Sequence, residues 1–237
     1  AVWYMCFAAR QLRPIRLKWS YRSLLYSIRN IGYQCTIGMS ALMGECTMAV
    51  LALIGNYVFG TYLGDAGIGA FGIACYYTPF VYMIGNAVAQ SAQPIISYNY
   101  GSGDSCRVRS TLRVALLAAV VCGGSVSTAF VFFPYQLVEL FINTNEAAFP
   151  LAVKGFPLMA TAFVFFIVNL TLIGYYQSVE RVRPAMVFAL LRGIFFLVPC
   201  FLVLPLWFVE TGIWFALGMS EMLTMLCIIW YMWHGNR

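Results

Sequence analysis

Six apolar runs dominate this chain, at residues 31–59, 66–97, 114–133, 155–177, 185–208 and 212–233. Each meets the roughly 20 apolar residues needed to cross a bilayer core as a helix. None shows the strict alternation that a transmembrane barrel strand requires. Only 9% of the residues are charged, against 62% apolar, whereas soluble domains carry about 25% charged residues. So few charges cannot give a globule a solvated surface, which excludes a soluble domain, a disordered tail and a small disulfide scaffold. The expected fold is all-α: a polytopic membrane protein built as a bundle of six transmembrane helices.

The segments between the runs alternate in sign. Arg10, Arg13, Arg16, Lys18 and Arg22 precede the first run, and Asp65 follows it. Arg107, Arg109 and Arg113 come next, then Glu139 and Glu146, then Arg181 and Arg183, then Glu210, then Arg237. Basic loops stay cytoplasmic, so both ends of the six-span unit are expected to face the cytoplasm, with Lys154 the one mild exception. This sidedness accounts for the net charge of +6 without a nucleic-acid partner. Residues 1–9 are apolar but too few to span a bilayer, and their basic residues follow the apolar stretch, the reverse of a signal peptide. They are expected to be the end of a preceding transmembrane helix. The domain expectation is therefore a helix end at 1–9, a basic cytoplasmic linker at 10–30, a six-helix lobe at 31–233 and a tail at 234–237.

An ionisable side chain at membrane depth costs about 2.5–3.5 kcal/mol on insertion scales, which makes each one a functional candidate. Glu45 lies near the middle of the first run. At a period of 3.6 it shares a face with Gly38, Ala41, Ala49, Ala52 and Asn56, a small and polar face suited to close helix approach or to lining a cavity. Glu221 lies in the outer half of the last run; a structural role suits it equally, and it is expected to matter less than Glu45. Arg192 sits about two turns into the fifth run, near enough to the cytoplasm to snorkel. In the second run Tyr82, Asn86, Gln90 and Gln93 form a polar stripe ending at Pro94, and such amides must face protein or water. Pro79 and Pro94 are expected to kink that helix. The fourth run adds Asn169, and Tyr175 and Tyr176 suit an interfacial aromatic belt.

Enzymatic chemistry finds no foothold. The eight cysteines include no C-x-x-C pair and the one histidine is His234, so neither a metal centre nor a disulfide framework is expected. Gly101-Ser102-Gly103-Asp104 matches the G-x-G-D pattern of intramembrane aspartyl proteases, but catalysis there needs a second aspartate nearby. The other aspartate, Asp65, belongs to the opposite side of the membrane. Ser125 has no histidine base within the membrane to activate it, and no P-loop is present for ATP-driven pumping.

The run Gln93-Pro94-Ile95-Ile96-Ser97-Tyr98-Asn99-Tyr100-Gly101, followed by Arg107-Val108-Arg109, closely resembles the Q-P-(I/L)-x-x-Y-N-Y-G signature of the multidrug and toxic compound extrusion (MATE) family. Glu45 falls where members carry a carboxylate in the seventh helix. Tyr175-Tyr176-Gln177 looks like the tenth-to-eleventh helix junction, and Gly212-Ile213-Trp214 with Ser220-Glu221-Met222-Leu223-Thr224 looks like the last helix. The resemblance covers essentially the whole chain as the carboxyl-terminal half, one lobe of a twelve-helix transporter. It departs from some members in lacking an acid between Met159 and Gln177, where Phe165, Phe166 and Asn169 stand.

The resemblance implies a secondary antiporter in the cell membrane, exporting organic and often cationic drugs or metabolites in exchange for sodium ions or protons. It implies no cofactor beyond the coupling ion. Its implied partners are an amino-terminal six-helix half, the drug and the lipid bilayer. The expected ion- and substrate-binding residues are Glu45, Asn56, Asn86, Gln90, Gln93, Asn169 and Glu221. Two alternatives stay open: a non-transporting scaffold or interaction module, and a lipid-type carrier of related fold.

Overall fold

The computed structural model of the chain describes residues 21–234. The expectations for residues 1–9, for the first half of the 10–30 segment and for residues 235–237 lie outside the described residues. Among the described residues the structure is helical, without a strand. The helices are α1 (Tyr21–Gly101), α2 (Ser105–Phe132), α3 (Pro134–Glu139), α4 (Ala148–Ser178), α5 (Val182–Leu190) and α6 (Leu197–His234), with a π-helical turn, Leu191–Phe195, between the last two. The chain divides into two units at Gly38/Met39. Helix is the described part of the first, which begins at Tyr21 rather than at residue 31; no glycine or proline from 21 to 30 stops it. Everything below concerns the second unit.

Among the described residues four helical stretches are long and apolar enough to cross a membrane, and two of them, Leu42–Gly101 and Val182–His234, run to 60 and 53 residues. At 1.5 Å per residue either would extend about 80–90 Å if straight, far beyond a core of about 30 Å. Both instead fold back on themselves. α1 leaves helical geometry at Gly64 (φ 63°, ψ −156°), a region that essentially only glycine enters. Phe59 then stacks on Phe71 at 4.7 Å, and Tyr82 reaches back to Glu45. α6 leaves it at Val209 (φ 37°, ψ −109°), and Glu221 reaches back to Arg192. Four apolar stretches thus make six passages, as the apolar runs predicted.

Pro79 and Pro94 both lie inside helical α1, as Pro157 does in α4 and Pro205 in α6; Gly64 and Val209 are the non-helical points in α1 and α6. A transmembrane helix tolerates proline because neighbouring groups satisfy the freed carbonyl.

α4 is the centre of the lobe. It is apolar around its whole circumference, the pattern of a helix meant for complete burial. Accordingly 72% of its most apolar window is buried, against 22% for α2. Phe156, Phe163 and Phe166 of α4 join Phe59, Phe71, Phe130 and Trp214 in one core. The short α3, unanticipated from sequence, is tied to that core by the Tyr77 hydroxyl, which donates to the Leu137 carbonyl at 2.9 Å. The G-x-G-D match resolves into a turn. Gly103 takes φ 79°, and the Asp104 carboxylate accepts from the Arg107 amide at 3.0 Å, capping α2.

Candidate substrate cavity

The polar side chains of the two α1 arms, α4 and the π turn converge on a cavity of about 390 Å³. That lies within the 300–1,000 Å³ range of small-molecule sites. Glu45 stands at its rim, exposed, with Oε1 accepting the Tyr82 hydroxyl at 2.7 Å. One helical turn apart along the second arm, Tyr82, Asn86, Gln90 and Gln93 line one wall. At its end the Gln93 amide donates to Gln177 Oε1 of α4 at 3.2 Å, and Ser97 donates to the Ser178 carbonyl at 3.2 Å, fastening the two helices.

The facing wall carries a buried charge cluster. Arg192 and Glu221 are each 1% exposed, and Arg192 Nε donates to Glu221 Oε1 at 2.7 Å. Asn169 donates to Glu221 Oε2 at 2.8 Å and to the Glu221 carbonyl at 2.9 Å. The guanidinium lies 4.0 Å from the centre of the Phe166 ring, a cation–π contact. Arg192 Nη2 and Asn169 Oδ1 make no hydrogen bond. The ion pairs among the described residues are this one and the surface pair Arg107–Asp104, so Glu45 belongs to neither.

The structure therefore brings four of the seven expected site residues, Glu45, Asn86, Gln90 and Gln93, to the cavity. Glu221 sits behind its wall, paired with Arg192, and Asn169 is bonded in turn to Glu221. Asn56 does not belong: its side chain is exposed and donates to the Ala52 carbonyl of its own helix. It shares the face of Glu45 but stands three turns away, about 16 Å along the axis. Arg192 overturns the snorkelling expectation, because it is buried and paired rather than extended to an interface. The π turn carries it, and the fold-back at Val209 brings Glu221 across to meet it. Glu221 is likewise buried. Sequence reasoning missed Thr47 as a lining residue and the pairing of the two buried charges, and left Gln177, the polar end of the fourth run, outside the expected site. The signal for Arg192 was its ionisable character at membrane depth.

A polytopic helical lobe with a polar cavity at membrane depth and no catalytic constellation among its described residues has the construction of a membrane transporter. The MatE family model matches residues 41–202, and the chain belongs to the MatE family, whose members are transporters rather than enzymes. It is 29% identical over 180 residues to a protein described as a probable multidrug resistance protein NorM of Rhizobium meliloti (strain 1021), covering 72% of this chain and 38% of that protein. Its fold is that of a mutant Vibrio cholerae MATE transporter, VcmN, with a TM-score of 0.83 at 13% identity over 95% of this chain and 50% of the other. A MOP superfamily transporter from Pyrococcus furiosus superposes at 0.75 with 14% identity, covering 82% of this chain and 44% of that one. The chain spans less than half the length of the curated relative it matches.

Proposed function

We propose that this chain forms the carboxyl-terminal lobe of a secondary antiporter that exports organic, often cationic, compounds from the cell in exchange for sodium ions or protons. The amino-terminal half would close the cavity from the side where Glu45 is exposed. The alternating loop charges support a place in the cell membrane with both ends of the six-span unit facing the cytoplasm.

The observation that carries this reading is the convergence of one carboxylate and a row of amides on a membrane-depth cavity. Among the described residues Glu45 offers a negative charge not paired with a base, held in place by Tyr82. The amides of Asn86, Gln90 and Gln93 offer donors and acceptors to a drug of varied shape. A proton, a sodium ion and the positive end of a drug compete for that charge. Each shifts the balance between inward- and outward-open states by its differential affinity for them, which links drug exit to ion entry. A sodium ion would draw oxygen ligands from Glu45 and the amide carbonyls; a proton needs Glu45 alone.

The test is drug efflux by the full-length protein in vesicles, under imposed sodium and proton gradients in turn. Glu45→Gln keeps the shape and some hydrogen bonding of the site and is expected to insert normally while losing efflux under the coupling gradient. Efflux equal to the parent's under both gradients would make Glu45 structural and move coupling to another part of the protein.

A further inference from the structure

Among the residues lining the cavity Glu45 is the one acid and Arg192 the one base. A cavity meant for cations gains nothing from a bare arginine in its wall, so what surrounds Arg192 matters. Its charge is met by Glu221 at 2.7 Å, and Glu221 is itself held by two hydrogen bonds from Asn169. Arg192 and Glu45 belong to neighbouring turns of touching helices. Gly193 lies so close to Thr47 that a Cβ there would collide with the Thr47 hydroxyl, and Thr47 is two residues from Glu45. Tyr82 bridges the same gap, bonded to Glu45 and edge-on to Phe166, the ring beneath the guanidinium.

The geometry points to Glu221 as a specificity-determining residue that acts through Arg192. By holding the guanidinium and cancelling its charge, it leaves Glu45 as the net charge of the cavity. It touches no substrate, since it is 1% exposed and does not line the cavity. Without it, Arg192 would remain charged, because a guanidinium does not lose its proton in proteins. It already has a donor, Nη2, that makes no hydrogen bond. It would then repel an organic cation or turn toward Glu45 and occupy the charge that the cation needs. Cation selectivity would thus rest on three residues from three passages, two of which cancel. At an effective dielectric constant near 20, a unit charge roughly 10 Å away alters a cation's affinity by on the order of tenfold. This inference rests on the reading of Glu45 as the cation site.

The experiment is equilibrium binding of tetraphenylphosphonium, a permanent cation with no titratable group, to the full-length protein in detergent. The parent is compared with Glu221→Gln, with Arg192→Gln/Glu221→Gln together, and with Glu45→Gln. Glu221→Gln is expected to weaken binding by about tenfold or more. The double variant removes both buried charges and is expected to bind within about threefold of the parent. Parent-like binding by Glu221→Gln overturns the inference. So does a double variant as weak as Glu221→Gln, since Glu221 would then serve as a cation-binding acid or a structural post. Where Glu221→Gln alone yields no folded protein, the double variant decides: retained binding supports charge cancellation, and a tenfold loss refutes it. Unchanged binding by Glu45→Gln sinks the underlying site reading instead, and is read independently of the other two variants.

Discussion

The two folded-back helices solve one problem with opposite chemistry. In the first, Gly64 turns the chain and the arms meet through Glu45 and Tyr82, a carboxylate and a neutral donor. In the second, Val209 turns the chain and the arms meet through Glu221 and Arg192, a carboxylate and a full positive charge. The first acid is exposed at a cavity rim; the second is 1% exposed, with a second donor from Asn169. A hydroxyl orients a carboxylate without cancelling its charge, which is what the proposed cation site asks of Glu45. A buried guanidinium consumes that capacity. Two glutamates that look equivalent by hydropathy are divided by their partners into an available charge and a spent one.

The sharpest way to break this contrast is to strip the buried acid of its partner. Arg192→Met leaves Glu221 buried with only the Asn169 amide to bond, and an uncompensated buried charge costs about 3–5 kcal/mol. Thermal unfolding of the purified full-length protein in detergent should show a large drop in Tm. Replacing both partners by Met should recover most of it, because an apolar pair of similar volume removes the buried charge altogether. An Arg192→Met protein as stable as the parent would mean that Glu221 draws no net stabilisation from Arg192.

The turns can be compared the same way, with a smaller effect. Gly64→Ala places a Cβ in a backbone region that essentially only glycine enters and should cost about 1–3 kcal/mol. Val209→Gly should do the reverse. A β-branched residue at φ 37° is a conformational outlier, so relief of strain should outweigh the roughly 0.5–1 kcal/mol lost to glycine's greater chain entropy. Denaturation midpoints moving in opposite directions for the two variants would establish that the first turn is relaxed and the second held under strain.

Much of the architecture was legible in the sequence because a bilayer imposes a length on every passage and a sign on every loop. The six runs needed only local information, and the G-x-G-D dismissal needed only the sidedness those runs impose. The Tyr82–Gln93 stripe was legible too, since one helix places those residues on one face whatever surrounds it. What local reading could not supply was the meeting of distant residues. Arg192 and Glu221 are 29 residues apart and come together only through the turn at Val209, at which no glycine stands. The π turn that carries Arg192 holds Gly193 but no proline, and an isolated glycine inside a helical run does not by itself announce a change of helix type. Asn56 stands away from this cavity for a related reason: periodicity reports the face of a helix but not the depth at which a cavity opens along it.

The smallest expected effect tests whether the Tyr82 hydroxyl merely orients Glu45, as the contrast requires. Tyr82→Phe keeps the ring and its edge-on contact with Phe166, whose centre lies 6.3 Å away. It deletes only the hydroxyl that donates to Glu45 Oε1 at 2.7 Å. A hydrogen bond to a charged group contributes about 1.5–3 kcal/mol when buried, but this one is exposed and competes with water. A net effect near 1 kcal/mol is therefore expected, about a fivefold change in cation binding. The direction follows from the chemistry. A donor stabilises the carboxylate but also draws electron density from the oxygen that must attract the cation, while fixing its rotamer toward the cavity. If orientation dominates, Tyr82→Phe weakens tetraphenylphosphonium binding by about that factor and leaves the ion that drives efflux unchanged. Complete loss of binding would show instead that Tyr82 is itself a ligand, and that the available charge of the first hairpin is shared between two residues rather than carried by Glu45.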